Sequence, residues 1–146
     1  MLDENHPRPD WVNVRLSAMS ETVSMSQIQQ ISPASLAYLG DAVYELYIRS
    51  CYLLPPQRLQ AYHQQVVGQV RAESQAETLR SLVPHLNTTE LDILRRGRNA
   101  CSKSPKRLSP EIYQQATSLE TLIGYLYLSD PQRLFHLLSQ IESHPH

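Results

Sequence analysis

The chain has 146 residues, of which 41% are hydrophobic and 18% are charged, and its formal net charge is −1. This length accommodates a single domain with a real apolar core. The near-neutral charge excludes a protein that attracts nucleic acid through its overall field, so an anionic partner has to meet a local basic patch.

Cysteine usage and the N-terminal composition narrow the protein class further. Cys51 and Cys101 form neither a closely spaced metal-ligand pair nor a disulfide framework. The first 20 residues are interrupted by charges and lack the apolar core of a signal peptide. No apolar run approaches the ~20 residues that cross a bilayer. We therefore expect a soluble, cytoplasmic protein without membrane contact.

The chain divides into a polar arm, one domain and a short tail. Residues 1–30 are polar and poorly periodic, which predicts a loosely attached arm with a short helix near 26–31. The domain is expected to span residues 31–142, and residues 143–146 are expected to fray.

Six helices are predicted within the domain. Serine or aspartate followed by proline, which is typical of a helix start, occurs before residues 33, 110 and 131. The predicted ranges are 33–52, two helices sharing 56–83 with a break near 66–68, then 88–97, 110–128 and 131–141. Gly97 is expected to end its helix and to open an exposed loop over 97–109. No segment alternates like a strand, so the predicted fold class is all-α.

The first long helix carries a glycine and an acid inside an apolar stretch. Gly40 and Asp41 interrupt the sequence LAYLGDAVYELYI, and a mid-helix glycine costs about 1 kcal/mol relative to alanine. Close approach by another backbone would offset that cost. Asp41 is expected to be at least partly buried, and a buried carboxylate has to be paired, hydrogen-bonded or bound to a metal.

The helix predicted over 110–128 repeats this arrangement. Glu120 precedes an apolar run, and Gly124 lies one turn further along the same face. Two such helices predict close packing with converging carboxylates, which suits Mg²⁺ together with waters and a substrate phosphate. The alternative is a structural role, because a mid-helix acid among apolar neighbours is more often salt-bridged or at the edge of the core than catalytic.

The same residues carry a family resemblance. Segment 36–45, LAYLGDAVYE, resembles the signature helix of ribonuclease III domains, and 116–125, ATSLETLIGY, resembles their later acidic helix. Segment 94–100, LRRGRNA, is similar to one typical of Mini-ribonuclease III, the compact bacterial members without an appended double-stranded-RNA-binding domain. Three motifs in the family's order, within about residues 32–138, make the resemblance specific.

The resemblance implies a fold, an activity and a metal site. The fold would be the helical bundle of the ribonuclease III endonuclease domain. Asp41 and Glu120 match the two acids that hold Mg²⁺, for which Mn²⁺ is a possible substitute. Further acids of the larger enzymes correspond here to Ala37 and Thr117, which leaves a second metal ion in doubt. The reaction would be hydrolysis of both strands of double-stranded RNA, leaving 5′-phosphate and 3′-hydroxyl ends.

The resemblance also implies partners. Compact members act on the precursor of the large ribosomal RNA, and a ribosomal protein that presents this RNA is a plausible further partner. The family forms homodimers in which the signature helices meet. Candidates for this interface are Tyr38, Tyr44 and Tyr47, although core packing is at least as common for any one tyrosine.

Basic residues cluster before the Glu120 helix. Six of the thirteen Lys and Arg residues lie between positions 95 and 107 with no acid among them. Duplex RNA is recognised mainly through phosphates and 2′-hydroxyls, which such a segment can contact. The predicted RNA-binding residues are Arg95, Arg96, Arg98, Asn99, Lys103, Lys106 and Arg107.

Two other hypotheses remain open at this point. A catalytically inactive ribonuclease-III-like module for RNA binding in ribosome assembly is favoured by Ala37 and Thr117. A purely helical interaction protein would leave the basic segment and both acids unexplained, and a charge run can also be only a solvated loop.

Overall fold

The computed structural model describes residues 23–101 and 103–141. Most of the predicted arm, residues 1–22, and the predicted frayed end, residues 143–146, lie outside these ranges. The short helix expected near 26–31 is present at Met25–Gln29.

The described chain is a succession of helices. They are α1 (Met25–Gln29), α2 (Pro33–Tyr52), α3 (Leu59–Val70), α4 (Ala72–Leu82), α5 (Thr88–Asn99), α6 (Pro110–Ser129) and α7 (Pro131–Ile141), with a 3-10 turn at Val83–His85. No strand occurs in this part of the chain, and the all-α prediction is confirmed. Within residues 23–101 and 103–141, none of the helices has the length and apolarity to span a membrane.

The predicted helix starts at Pro33, Pro110 and Pro131 are confirmed by their caps. Ser32 Oγ accepts a hydrogen bond from the Ser35 backbone N–H at 3.1 Å, and Ser109 Oγ accepts one from the Ile112 N–H at 3.2 Å. The Asp130 carboxylate does the same for the Arg133 N–H. Each cap satisfies a backbone donor that a helix start leaves without an intrahelical partner.

Helix α6 is the centre of the fold. It packs against α2, α4, α5 and α7. Its residues Leu119, Leu122 and Ile123 are almost completely buried, together with much of α7. This position explains why a 20-residue helix is apolar on nearly every side.

The predicted break near residues 66–68 is wrong. Helix α3 continues through Gly68 to Val70, and the chain turns at Arg71, whose extended backbone (φ −64°, ψ 155°) ends α3 and begins α4. Gly68 has nothing within 4 Å of the place where a β-carbon would stand. It is therefore an exposed glycine that the helix tolerates rather than a breaker.

A buried ion pair joins α5 to α7. Glu90 is 2% exposed and caps the start of α5 together with Asn87. Both of its carboxylate oxygens accept hydrogen bonds from the Arg133 guanidinium at 2.8 Å. The Arg133 hydrogen bonds, followed by that from the Asn87 backbone, outweigh burial and lower the pKa of Glu90. This acid is fully accounted for by its structural partners.

Candidate active site

Two glycines bring the backbones of α2 and α6 into contact. A β-carbon added at Gly40 would lie 1.8 Å from the carbonyl oxygen of Glu120, and one added at Gly124 would lie 2.0 Å from that of Leu36. No larger residue fits at either place without separating the helices. The predicted reason for both glycines, close approach by another backbone, is confirmed.

This packing places the carboxyl groups of Asp41 and Glu120 against each other. The pKa of Glu120 is raised to about 8, first by burial and then by the hydrogen bond and negative charge of Asp41, while hydrogen bonding with Gln75 acts in the opposite direction. The expectation that Asp41 is partly buried is wrong, because Asp41 is exposed and Glu120 is the more buried of the two. Asp41 lies at the mouth of the site and Glu120 lies deeper.

The two acids line a cleft of about 260 Å³ that has three walls. Helix α2 forms one wall, α6 forms the second, and the end of α5 forms the third. The lining residues are Ala34, Ala37, Tyr38, Asp41, Gly97, Ala100, Cys101, Tyr113, Thr117 and Glu120. Several of them are small, which leaves room for a ligand beside the carboxylates.

Gly97 has a different role from the predicted one. Helix α5 continues past it to Asn99 and is capped at Ala100. A β-carbon at Gly97 would lie 2.5 Å from Thr121 Oγ1 and 3.2 Å from the Ser118 Cα. The glycine therefore lets α5 approach α6, and this contact brings the C-terminal end of α5 to the edge of the cleft.

The residues of the cleft fit a divalent cation with few protein ligands. Two carboxyl groups face each other, one of them with its pKa raised by burial and by the other acid, and a bound cation would remove this unfavourable interaction. Mg²⁺ commonly takes one or two carboxylates and retains several waters. In the described ranges no cluster of three or more His, Cys, Asp or Glu side chains occurs. Ala37 and Thr117 line the same cleft as uncharged residues.

The basic segment contains paired and unpaired cations. Arg95 and Arg96 both pair with Asp92, one turn before them on α5, an acid that the sequence prediction did not consider. The remaining predicted RNA-binding residues are all exposed: Arg98, Asn99, Lys103, Lys106 and Arg107. In residues 23–101 and 103–141 no acid pairs with these four cations. The unpaired cations follow the cleft-lining Gly97 or lie in the loop beyond Cys101.

The structure separates the three candidate interface tyrosines. Tyr44 and Tyr47 are 1% and 2% exposed, so the prediction that they contact a partner subunit is wrong: they belong to the core of the chain itself. Tyr38 is 85% exposed and lies at the rim of the cleft.

Sequence reasoning missed three residues at this site. Tyr113 and Cys101 line the cleft, and the buried Gln75 of α4 lies near enough to Glu120 to lower its pKa. No motif marks Gln75, since its helix contributes to the site only through tertiary packing.

The family is decided by comparison with known proteins. The family model described as "Ribonuclease III domain" matches residues 34–131, which include both acids, both glycines of the α2–α6 contact and the basic segment. The chain belongs to the ribonuclease III family. It is similar to Mini-ribonuclease 3 of a Synechococcus species, with 59% identity over 82% of this chain and 86% of the relative.

Other relatives and one solved structure are also similar to the chain. Mini-ribonuclease 3 of a Synechocystis species is 56% identical over 79% of this chain and 80% of its own length, and that of Clostridium tetani is 34% identical over 84% of both chains. A crystal structure of a Fusobacterium nucleatum protein superposes with a TM-score of 0.72 at 28% identity, over 77% of this chain and 93% of that one. The chain is therefore an endoribonuclease of the ribonuclease III family, similar over most of its length to proteins named Mini-ribonuclease 3, and this family generally depends on divalent metal ions.

Proposed function

We propose that the chain hydrolyses phosphodiester bonds of double-stranded RNA with Mg²⁺ held by Asp41 and Glu120. The observation that carries this proposal is the opposition of the two carboxyl groups in one cleft. A bound Mg²⁺ would supply an activated water and stabilise negative charge on the phosphate. Mn²⁺ is the expected substitute, and the expected products carry 5′-phosphate and 3′-hydroxyl ends.

The protein's own contribution is to place these groups beside a phosphate. Glu120 is held against the α2 backbone by the Gly40 contact, whereas Asp41 is exposed to incoming RNA. The unpaired cations at the end of α5 and in the following loop would contact phosphates on either side of the cleft. Contacts of this kind recognise duplex shape rather than sequence.

A homodimer would place two such clefts on the two strands of one duplex. The exposed face of α2, which includes Tyr38 and Leu46 at 85% and 40% exposure, is the proposed contact between subunits. The proposed natural substrate is precursor ribosomal RNA of the large subunit, processed in the cytoplasm, and the proposed further partner is a ribosomal protein. Size measurement of the chain in solution and mapping of cut ends on precursor RNA test these points.

The direct test is cleavage of a defined RNA duplex with and without Mg²⁺, followed by mapping of the ends. Asp41→Asn and Glu120→Gln should each lower the cleavage rate by more than about a hundredfold, because even groups outside the first coordination shell are worth 10–100-fold. Both variants should still fold and bind RNA.

Glu45→Gln is the matched control. Glu45 lies one turn after Asp41 on α2, but it pairs with Arg49 at 2.6 Å on the surface, so its variant should cut at the normal rate. Normal cutting by both Asp41→Asn and Glu120→Gln contradicts the site. If the unaltered chain binds duplex RNA with Mg²⁺ and never cuts it, the inactive RNA-binding module is the correct reading.

A further inference from the structure

A buried glutamine lies beside Glu120. Gln75 is 4% exposed and lies on α4, which packs against α6. Its Nε2 donates a hydrogen bond to the carbonyl oxygen of Val70 at 2.7 Å. The same amide lies near enough to the carboxyl group of Glu120 to lower its pKa.

The arrangement of this amide is unfavourable for stability alone. Gln75 Oε1 is buried and has no hydrogen-bond partner within residues 23–101 and 103–141. Leaving a buried acceptor unsatisfied costs about 1–3 kcal/mol, whereas an apolar side chain of similar shape leaves no acceptor unpaired. A glutamine here is therefore better explained by what its N–H groups do than by packing, since a buried unsatisfied polar group in a native fold calls for a specific reason.

The turn between α3 and α4 fixes the direction of this amide. Arg71 interrupts the helix, so the Val70 carbonyl at the end of α3 has no further helical turn to bond with, and it accepts from Gln75 instead. One N–H anchored on rigid backbone leaves the other N–H with little freedom. An anchored donor can hold a carboxyl group in one orientation, which is the usual role of groups behind a metal ligand.

We propose that Gln75 is a positioning residue, which holds the Glu120 carboxylate in the orientation that lets it share a divalent ion with Asp41. This inference rests on the proposed metal site. Gln75 itself touches neither the ion nor the RNA. Its loss should therefore weaken metal binding without removing the site.

The test measures Mn²⁺ binding to the full chain by electron paramagnetic resonance and, separately, the melting temperature without metal. Gln75→Met keeps the length of the side chain and removes both donors. We expect its dissociation constant for Mn²⁺ to rise by about tenfold, with a melting temperature equal to or above that of the unaltered chain. Gln75→Leu is the second variant, in case Met packs poorly.

Ser74→Ala is the matched control. Ser74 is the neighbouring buried residue, and its hydroxyl donates to the Gly68 carbonyl at 2.6 Å, so it also ties α4 to the last turn of α3. Its variant should melt earlier and bind Mn²⁺ normally. Normal Mn²⁺ binding by Gln75→Met and Gln75→Leu overturns the positioning role, as does a loss of binding that Ser74→Ala reproduces.

Glu120→Gln separates this inference from the proposal on which it rests. If Glu120→Gln lowers Mn²⁺ affinity while both Gln75 variants leave it unchanged, only the role of Gln75 is wrong. If Glu120→Gln binds Mn²⁺ as tightly as the unaltered chain, the metal site itself is wrong.

Discussion

Glu90 is buried and Glu120 is partly buried, and the protein surrounds these two glutamates with opposite charges. Glu90 receives two hydrogen bonds from Arg133 and one from the Asn87 backbone, and its pKa is lowered. Glu120 is partly buried against another acid, and its pKa is raised to about 8. The Glu90 carboxylate is neutralised by the Arg133 guanidinium, whereas Glu120 faces another acid and retains its proton up to about pH 8. A partly buried acid in a cleft whose pKa is strongly raised is the stronger indication of a functional site.

The largest expected effect is a loss of stability when α2 and α6, the helices that carry the two acids, are pushed apart. Gly40→Ala places a β-carbon 1.8 Å from the Glu120 carbonyl, and such overpacking against backbone should lower the free energy of unfolding by at least about 3 kcal/mol. Gly68→Ala is the matched control, because nothing lies near its added methyl group; it should raise stability by up to about 1 kcal/mol. Urea denaturation of both variants measures the difference, and equal stabilities would contradict the close contact.

The next largest effect is a difference in stability between variants of the two glutamates. Glu90→Gln leaves Arg133 without its partner and should lower the free energy of unfolding by about 3 kcal/mol. It should cut RNA normally while folded. Glu120→Gln should show the reverse, with undiminished stability and no cleavage. Thermal melting and cleavage assays on the two variants measure these effects. Equal destabilisation of both would contradict the different roles of the two glutamates.

The pH dependence of stability should differ in sign between the two acids. The pKa of Glu120 rises from 4.5 to about 8 on folding, so across that window the unfolded chain loses a proton that the folded chain retains, and stability falls as pH rises. The lowered pKa of Glu90 contributes stability that is present above pH 4.5 and is lost on acidification. Without metal, melting temperatures should fall between about pH 5 and pH 8. Glu120→Gln should abolish this fall, and its persistence would contradict the assignment.

The smallest expected effect is on the salt dependence of RNA binding, where a cation without an acidic partner should matter more than a paired one. Arg98→Gln removes a cation without an acidic partner in the described chain, and it should reduce the slope of log RNA affinity against log salt by about 1. Arg95→Gln should change that slope less, because Arg95 already pairs with Asp92. Binding titrations on a Glu120→Gln background keep the RNA intact. Equal changes in slope would show that the ion pair does not matter.

Local chemistry accounts for what the sequence predicted correctly. Serine before Pro33 and before Pro110 determines a helix start by itself, and the i, i+4 spacing of Glu120 and Gly124 places both on one face. Residues whose roles depend on tertiary contact were predicted less well. Gly97 resembles a helix end in sequence, but its missing side chain makes room for Thr121.

The tyrosines and Gln75 show the same limit. Tyr38 and Tyr44 lie on one apolar helix, and only the packing of the surrounding helices determines that one is exposed and the other buried. Gln75 lies 45 positions before Glu120, and no local pattern connects them. The acids could be predicted from the sequence, whereas the groups that surround them required the packed structure.

The central claim is that Asp41 and Glu120 hold one divalent ion between them. The most direct measurement is anomalous scattering from crystals of the chain soaked in Mn²⁺. We predict a peak about 2.1 Å from a carboxylate oxygen of each residue, absent in Glu120→Gln crystals. A Mn²⁺ peak bound elsewhere, with the two carboxyl groups still hydrogen-bonded to each other, would contradict the claim.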